Sequence, residues 1–331
     1  MSIVDPQFIV IRKGALSKVD DFLEDYRRPI FVTDDILHAE YREVVEDFMG
    51  GEVVWLLVSE YERGNTSKAS GRDVILGFGG GRSIDTAKLL ARDTNLNWIA
   101  VPTAASHDGI ASDVASVSHD GYRYSEKCKG PIGVIADLSI IERAPSKLRL
   151  AGIGDIVCKA SSLGEWRLAY EKRNEPFDKR VYSLVKSALE SILQDESLET
   201  LVRAEIDSGR AMSIFGSSRP CSGTEHAISH AMDREPTDLH GLQVAFAMPL
   251  CVHYLEEAGY SDYKAQNMHQ FLIDHAMPSK LSDFDLSSDQ FLDNVHHALD
   301  IMTRRDRYSV LQHQETDDAE ILLTIKDLNY Y

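Results

Sequence analysis

The clearest structural signal in this chain is the segment Val74-Ile75-Leu76-Gly77-Phe78-Gly79-Gly80-Gly81-Arg82-Ser83-Ile84-Asp85. An apolar run followed at once by glycines and a helical pattern predicts a buried strand, a tight turn and a helix. Backbone N–H groups that glycine exposes at a helix N-terminus can bind phosphate. The spacing differs from GxGxxG because Arg82 occupies the position of the last glycine, so a turn without any ligand is the alternative.

Further apolar runs surround this segment in the first half of the chain, at Phe8–Ile11, Pro29–Val32, Val53–Val58, Trp98–Val101 and Ile132–Ile135. Helical apolar spacing occurs between them, over Ala15–Tyr26, Leu37–Phe48 and Ser83–Ala91. This alternation predicts a parallel α/β layer. After Ala144-Pro145-Ser146, long segments such as Lys179–Leu193 and Leu198–Met212 have a helical period. We therefore expect an α/β domain over residues 1–145 and an all-α domain over residues 146–331.

Composition and charge exclude several classes of protein. The 331 residues are 43% hydrophobic and carry a formal net charge of −18. Such a chain folds into a packed core and is repelled by polyanions, so we expect neither nucleic-acid binding nor integral membrane association. Asp5 and Pro6 interrupt the N-terminal apolar run, which argues against a signal peptide. Four cysteines without a CxxC pair indicate a reduced, cytoplasmic protein.

A second polar loop follows the strand predicted at residues 98–101. It has the sequence Val101-Pro102-Thr103-Ala104-Ala105-Ser106-His107-Asp108-Gly109-Ile110-Ala111-Ser112. The carboxyl ends of parallel strands lie at one edge of a sheet, so this loop and the glycine turn are expected to face one crevice. The hydroxyls of this loop and the carboxylate of Asp108 can bind ligand hydroxyls, although an ordinary capped turn has the same composition.

Three of the chain's twelve histidines fall within 15 residues, in SGTEHAISHAMD and the following HG. His226 and His230 are four residues apart and share one face of a helix, and His240 follows. Upstream, Asp155 lies in AGIGD. One Asp and two His with an open position are typical of a catalytic zinc site, but spacing alone does not connect Asp155 to the histidines. A capped helix with scattered surface histidines is the alternative.

Together these motifs, in this order, resemble the sn-glycerol-1-phosphate dehydrogenase family, within the superfamily of iron-containing alcohol dehydrogenase, glycerol dehydrogenase and dehydroquinate synthase. The resemblance covers about residues 29–251, and VPTAASHDGIAS is its most specific part. It implies a Rossmann-like nucleotide-binding domain, a helical metal- and substrate-binding domain, and an active site in the cleft between them. It also implies a homo-oligomer, because relatives of this architecture commonly assemble.

The resemblance assigns roles to individual residues. It implies contacts to NAD(H) or NADP(H) at Asp34, Gly79, Gly80, Gly81, Arg82, Ser83, Ile84, Asp85, Thr103, Ala104, Ala105, Ser106 and Ser112. It implies substrate contacts at Asp108, Asp155 and His230, of which Asp108 and His230 are also the candidate catalytic residues. The implied metal ligands are Asp155, His226 and His240. An acid at position 34 would repel a 2′-phosphate and favour NAD.

Iron-type members of the superfamily carry a fourth ligand, a histidine, where this chain has Lys159. The three remaining ligands suit Zn²⁺, although other divalent metals accept the same donors. The implied reaction is the reduction of dihydroxyacetone phosphate to sn-glycerol 1-phosphate, the backbone of archaeal ether phospholipids. Lys159 and Arg167 are the candidates for binding the substrate phosphate.

Three other functions remain possible at this stage. A polyol dehydrogenase would share the metal and cofactor sites but act on unphosphorylated glycerol. A lyase of the dehydroquinate-synthase type would use NAD only transiently and generally needs several basic residues, which the motif region lacks. A non-catalytic descendant would have lost a ligand, whereas Asp155, His226 and His240 are all present.

Overall fold

The computed structural model describes residues 5–119, 122–234 and 238–331. The strands are β1 Phe8–Arg12, β2 Pro29–Thr33, β3 Val54–Leu57, β4 Val74–Gly79, β5 Asn97–Pro102, β6 Val114–His119, β7 Tyr122–Lys127 and β8 Gly133–Asp137. The helices of the first half are α1 Asp35–Phe48, α2 Gly81–Thr94 and α3 Leu138–Ile141. Those of the second half are α4 Ser146–Val157, α5 Lys159–Arg173, α6 Lys179–Gln194, α7 Leu198–Phe215, α8 Thr224–Met232, α9 His240–Glu257, α10 Ala265–Asp274, α11 Ser288–Arg304, α12 Val310–His313 and α13 Asp318–Asp327.

Six strands form one parallel sheet in the order β1-β8-β5-β4-β2-β3. The central strand β4 pairs with β5 from Val74 to Gly79 and with β2 on its other side. Strands β6 and β7 form a separate antiparallel pair. Because β2, β4 and β5 are parallel neighbours, their carboxyl ends place Thr33, Gly79 and Pro102 at one edge of the sheet.

Both faces of the sheet are buried, which explains why its strands are continuously apolar rather than alternating. Ile75 packs in the larger core, which extends through α2 into the helical half. Its neighbour Leu76 points the other way, into a smaller core with Leu16 and Tyr41. The larger core is continuous across the predicted boundary between residues 145 and 146, so that boundary stays a prediction.

The predicted fold class, a parallel α/β layer followed by an all-helical region, is confirmed. The helix predicted over Ala15–Tyr26 is wrong, because the chain forms two short 3₁₀ turns there, Leu16–Lys18 and Asp20–Phe22. Leu16 and Val19 are three residues apart and share one side of either helix type, so spacing over so short a segment does not distinguish them. The Asp137 carboxylate accepts hydrogen bonds from the N–H groups of Gly14 and Leu16, which fixes the start of these turns at the end of β8.

The helical half is built around α9, which is buried on nearly all sides. A helix that is apolar all round belongs in the interior of a large core. Nonetheless, none of the helices within the described ranges is long and apolar enough to span a bilayer.

Helices α4 and α9 approach each other so closely that only glycine fits at their contact. A Cβ atom on Gly241 would overlap the carbonyl oxygen of Ala151, and one on Gly154 would lie 2.5 Å from the carbonyl oxygen of Gly241. Both glycines have negative φ angles, so the requirement is space rather than backbone conformation. This contact determines how Asp155 on α4 lies relative to His240 on α9.

We predict that Gly241→Ala lowers the free energy of unfolding by about 1–3 kcal/mol, because the added methyl group must push the two helices apart. Urea unfolding followed by circular dichroism measures the loss. Gly51→Ala is the matched control, because a Cβ at Gly51 meets no atom within 4 Å. Equal stability of the two variants would contradict the role of this contact.

Candidate active site

The glycine turn has an open cradle at the N-terminus of α2. Strand β4 ends at Gly79, Gly80 caps the helix without a side-chain hydrogen bond, and α2 begins at Gly81. Gly79 has a φ of +153°, and a Cβ there would overlap the Ser83 hydroxyl. The first N–H groups of a helix lack partners within it, so this 14-residue helix presents free donors to an anion. The turn therefore fits the pyrophosphate of a dinucleotide.

The other implied cofactor contacts lie around this cradle. Asp34 follows β2 and caps α1, its Oδ1 accepting hydrogen bonds from the N–H groups of Ile36 and Leu37. The N–H of Thr103 donates to the carbonyl oxygen of Gly79 at 3.1 Å, which ties the second loop to the glycine turn. Ser83 is fully buried, and its Oγ has no hydrogen-bond partner within the described ranges. The structure thus brings Asp34, Gly79–Ser83 and Thr103 to one edge of the sheet.

His107 occupies the space between the two loops, a position that the sequence analysis did not assign. A Cβ on either Gly81 or Gly109 would overlap its imidazole ring. The N–H of Gly109 donates to His107 Nδ1 at 2.9 Å, so the ring proton belongs on Nε2, which faces Gly81. The glycines at 81 and 109 were the available signal, but only the fold brings them to one side chain.

Ser112 and Asp85 form hydrogen bonds and an ion pair with other groups of the protein. Lys88 is fully buried, and its Nζ donates to Ser112 Oγ at 3.0 Å and to the carbonyl oxygens of Gly109 and Val114 at 2.7 Å. Asp85 pairs with Lys88 at 3.3 Å and accepts a hydrogen bond from the N–H of Ser116. Lys88 therefore fixes the second loop onto α2. Arg82, by contrast, is exposed.

The predicted metal ligands come together from three helices. Asp155 is 1% exposed, and its Oδ1 lies 3.6 Å from His226 Nε2. The ring centroids of His226 and His240 are 5.1 Å apart. Asp155 Oδ1 has no hydrogen-bond partner within the described ranges, so a buried acceptor faces this cluster. One carboxylate oxygen and two imidazoles are a donor set that suits a divalent cation.

Partners behind the two imidazoles set which nitrogen carries the proton. His226 Nδ1 lies 2.8 Å from Glu225 Oε1 and therefore donates to that carboxylate. Ser229 donates to Gln243 Oε1 at 2.8 Å, so its oxygen accepts from His240 Nδ1 at 2.9 Å. With Nδ1 of each ring facing these partners, Nε2 is the nitrogen left to bind a metal. Gln243 takes part in this arrangement through its side-chain amide oxygen.

Cys158 also belongs to the cluster, and the sequence analysis did not include it. Its Sγ, one Asp155 oxygen and one His226 ring nitrogen all lie within 4.8 Å of one another. The Sγ contacts the carbonyl oxygen of Asp155 at 3.0 Å and approaches the Nδ1 side of His226 at 4.0 Å. Burial raises the pKa of this thiol, which opposes formation of the thiolate that binds metals. The Asp155 side of His226 is therefore the better ligand position.

Lys159 joins the candidate substrate residue to the candidate metal ligand. Its Nζ is fully buried, 2.9 Å from Asp108 Oδ2 and 3.5 Å from Asp155 Oδ1. The N–H of Asp108 also donates to Asp155 Oδ2 at 2.9 Å. Arg167 lies two turns further along α5, where it pairs with Asp262 and covers the Tyr260 ring. Of the two candidate phosphate ligands, the structure brings only Lys159 to Asp155.

Electrostatics keeps this buried cluster charged. Burial opposes the ionised form of Asp155, but Lys159 and His226 beside it hold the pKa of its carboxyl group well below the usual range. Glu205 on α7, another residue that the sequence analysis missed, behaves in the opposite way. Burial, and then the charges of Asp155 and Asp108, raise the pKa of Glu205 far above its usual value, so its carboxyl group is neutral.

His230 lies on the outer side of the histidine cluster. Its ring stacks on that of His240 with centroids 5.7 Å apart, and its Nδ1 is 4.0 Å from Asp233 Oδ2. The side chain is 17% exposed, whereas that of His226 is 9% exposed. His230 is therefore easier for a small molecule to reach than His226, and His240 is also partly exposed.

Comparisons with known proteins agree with this arrangement. A family model described as iron-containing alcohol dehydrogenase matches residues 10–145. The glycerol-1-phosphate dehydrogenase of Natronomonas pharaonis is 32% identical, covering 92% of this chain and 92% of its own. The glycerol-1-phosphate dehydrogenase of Methanococcoides burtonii is 33% identical, covering 97% of this chain and 94% of its own. Both relatives are named as NAD(P)⁺ enzymes.

Solved structures extend the likeness of fold to the whole chain. A glycerol dehydrogenase from Schizosaccharomyces pombe superposes with a TM-score of 0.77 at 19% identity, covering 98% of this chain and 89% of its own. A maleylacetate reductase from Agrobacterium tumefaciens superposes with a TM-score of 0.70 at 15% identity, covering 98% and 96%. These structures establish the two-part dehydrogenase fold, and the curated relatives confirm the resemblance found in the sequence. The chain belongs to the glycerol-1-phosphate dehydrogenase family.

Proposed function

We propose that this chain reduces dihydroxyacetone phosphate to sn-glycerol 1-phosphate with NAD(P)H and a bound divalent cation. The observation that carries the proposal is the likeness to glycerol-1-phosphate dehydrogenases over at least 92% of both chains in two full-length comparisons. The geometry supports it, because the cradle at α2 and the cluster around Asp155 are joined through the second loop, by Thr103 at one end and Asp108 at the other.

In this proposal Asp155, His226 and His240 hold the cation, and the donor set favours Zn²⁺. The cation would polarise the substrate carbonyl as a Lewis acid, and the dinucleotide would supply the hydride. Glu225 and Ser229 keep the lone pairs of the two imidazoles on Nε2. The protein's own contribution at this position is thus a fixed, correctly protonated ligand set.

The remaining residues bind and orient. The N–H groups at the start of α2 hold the pyrophosphate, while Lys88 and Thr103 keep the second loop against this turn. Asp108 accepts a substrate hydroxyl, and Lys159 holds its carboxylate in place at 2.9 Å. Positioning of this kind lowers a barrier by several kcal/mol without further chemistry.

His230 is the proposed proton donor. Its Nδ1 side faces Asp233, so Nε2 is the atom that gives a proton to the substrate oxygen as the hydride arrives. Its partial exposure allows the proton to be replaced from solvent. Because its ammonium group is fully buried against Asp108 and Asp155, Lys159 is proposed to hold these two carboxylates rather than the substrate phosphate.

The direct test is oxidation of NADH by the zinc-loaded protein with dihydroxyacetone phosphate, with chiral analysis of the product. We expect the sn-1 isomer and a kcat/KM about a hundredfold higher than with dihydroxyacetone, because charged hydrogen bonds to the phosphate are lost with the latter. Equal or faster turnover of dihydroxyacetone would assign a polyol dehydrogenase instead. No turnover of either ketone would leave the lyase and non-catalytic functions.

We predict that His226→Ala lowers bound zinc and kcat by about a hundredfold or more, since one of three ligands is removed. Metal analysis and steady-state kinetics measure the two losses, and circular dichroism checks that the α/β layer stays folded. His253→Ala is the matched control, because His253 lies on α9 beside Glu257 and the Tyr254 ring and outside the histidine cluster. Full activity of His226→Ala in chelated buffer would exclude the metal site.

We further propose that Asp34 disfavours NADPH, because its carboxylate lies at the sheet edge beside the glycine turn. Asp34→Asn should lower KM for NADPH about fivefold, since the charge is removed while asparagine still caps α1. Asp35→Asn is the control, with the same charge change one residue away on an exposed side chain. If the two variants shift KM for NADPH equally, Asp34 does not contact the 2′ position.

A further inference from the structure

A cavity of about 790 Å³ opens on the helical half, away from the residues of the candidate active site. Its wall comes from the ends of α5, α7 and α11 and from the segments that follow them. Four arginines and two acids line it, in a chain whose net charge is −18. An excess of guanidinium groups around a concave space, within so acidic a chain, indicates an anion-binding site.

Three of the four arginines, Arg173, Arg305 and Arg307, form no ion pair with a carboxylate of the described residues, although the charges of Glu175 and Glu165 reach Arg307 from further away. The Arg307 guanidinium donates to Ser218 Oγ at 2.9 Å and approaches the carbonyl oxygen of Ser222 at 3.4 Å. Arg173 lies over the Tyr308 ring at 4.6 Å. The Arg305 guanidinium makes no hydrogen bond or ion pair with any residue in the described ranges. Arg305 and Arg307 are partly buried, whereas Arg173 is exposed at the rim. Unpaired charges that are partly buried are costly, and an anion bound in the cavity would lower that cost.

The pKa shifts agree with this arrangement. Burial, and then the nearby charges of Arg219 and Arg305, lower the pKa of Arg307 to about 10. Burial alone lowers the pKa of Arg305. Both arginines stay protonated at neutral pH, so their charges persist in the cavity.

The fourth arginine, Arg219, is neutralised by two glutamates. Arg219 pairs with Glu165 at 3.1 Å and with Glu175 at 2.8 Å, and it forms the inner wall of the cavity. Glu165 accepts in turn from the N–H of Thr224, the first residue of α8. This layer stands between the cavity and the helix that carries His226, so the cavity is a second site rather than an extension of the first.

We propose that this cavity binds a small phosphate-bearing anion through Arg173, Arg305 and Arg307. Guanidinium groups form paired hydrogen bonds with phosphate oxygens, and the volume matches a small-molecule site. The net charge of the chain opposes extended polyanions, which favours a small ligand. Free phosphate and the phosphate groups of a nucleotide share this chemistry.

The test measures the melting temperature of the zinc-loaded protein with inorganic phosphate or with ADP, each against chloride at equal ionic strength. We expect phosphate to raise Tm by about 3–8 °C at a hundredfold excess over Kd. Arg305→Gln should weaken phosphate binding at least about tenfold, because a charged hydrogen bond is lost. If this variant loses more affinity for ADP than for phosphate, the ligand is a nucleotide. If it loses affinity for both equally, the ligand is free phosphate.

Two controls separate this cavity from the candidate active site. Arg304→Gln removes the same charge one residue away, on an exposed side chain that does not line the cavity. The Tm of this variant should still rise with phosphate. His226→Ala should keep this rise too, because the metal cluster takes no part. Activity with dihydroxyacetone phosphate tests the proposed function independently of this result.

Three outcomes would overturn the proposal. The first is an unchanged Tm of the parent protein with phosphate. The second is a rise in Tm with phosphate that persists in both Arg305→Gln and the second variant Arg173→Gln. The third is the loss of that rise in His226→Ala. A dimer that Arg305→Glu dissociates, without any response to phosphate, would assign the cavity to an interface between copies of the chain.

Discussion

The contact between the backbones of α4 and α9 is the constraint on which the candidate site depends. Asp155 lies on one helix and His240 on the other, and no side chain separates the helices at Gly154 and Gly241. Glycine is unfavourable inside a helix by up to about 1 kcal/mol, so its presence there reflects the need for space. The three candidate ligands come from three helices, and they lie close together because two of those helices nearly touch.

Buried charge is the second organising feature of the helical half. Four acids there are at most 1% exposed but have different partners, namely Asp155, Glu165, Glu205 and Glu225. Lys159 neutralises Asp155, Arg219 neutralises Glu165, and a histidine and a serine hold Glu225. Glu205 lacks such a partner among the described residues and is neutral instead. Their neighbours lower the pKa of Asp155 and Glu225 despite burial, whereas burial raises the pKa of Glu165 and Glu205.

The sequence predicts the sheet well because its strands are short apolar runs bounded by glycine, proline and polar residues. It predicts each motif of the site, but the distance from Asp155 to His226 depends on helix packing across 71 positions of the chain and is invisible to spacing. His107, Cys158 and Glu205 were missed for the same reason, since each acquires its neighbours only from other elements. The failure at Ala15–Tyr26 is local, because 3₁₀ and α turns share their apolar spacing over so few residues.

The pairing of β1 with β8 has a consequence for how the chain is made. Phe8 pairs with Gly133, so β1 leaves the ribosome long before β8, its partner in the described part of the sheet, exists. At about 5–20 residues per second, translation of the intervening segment takes on the order of ten seconds. During that time Phe8–Ile11 is an apolar strand with an unpaired edge, a target for aggregation or for a chaperone. The six-stranded sheet therefore cannot be completed until β8 has been synthesised.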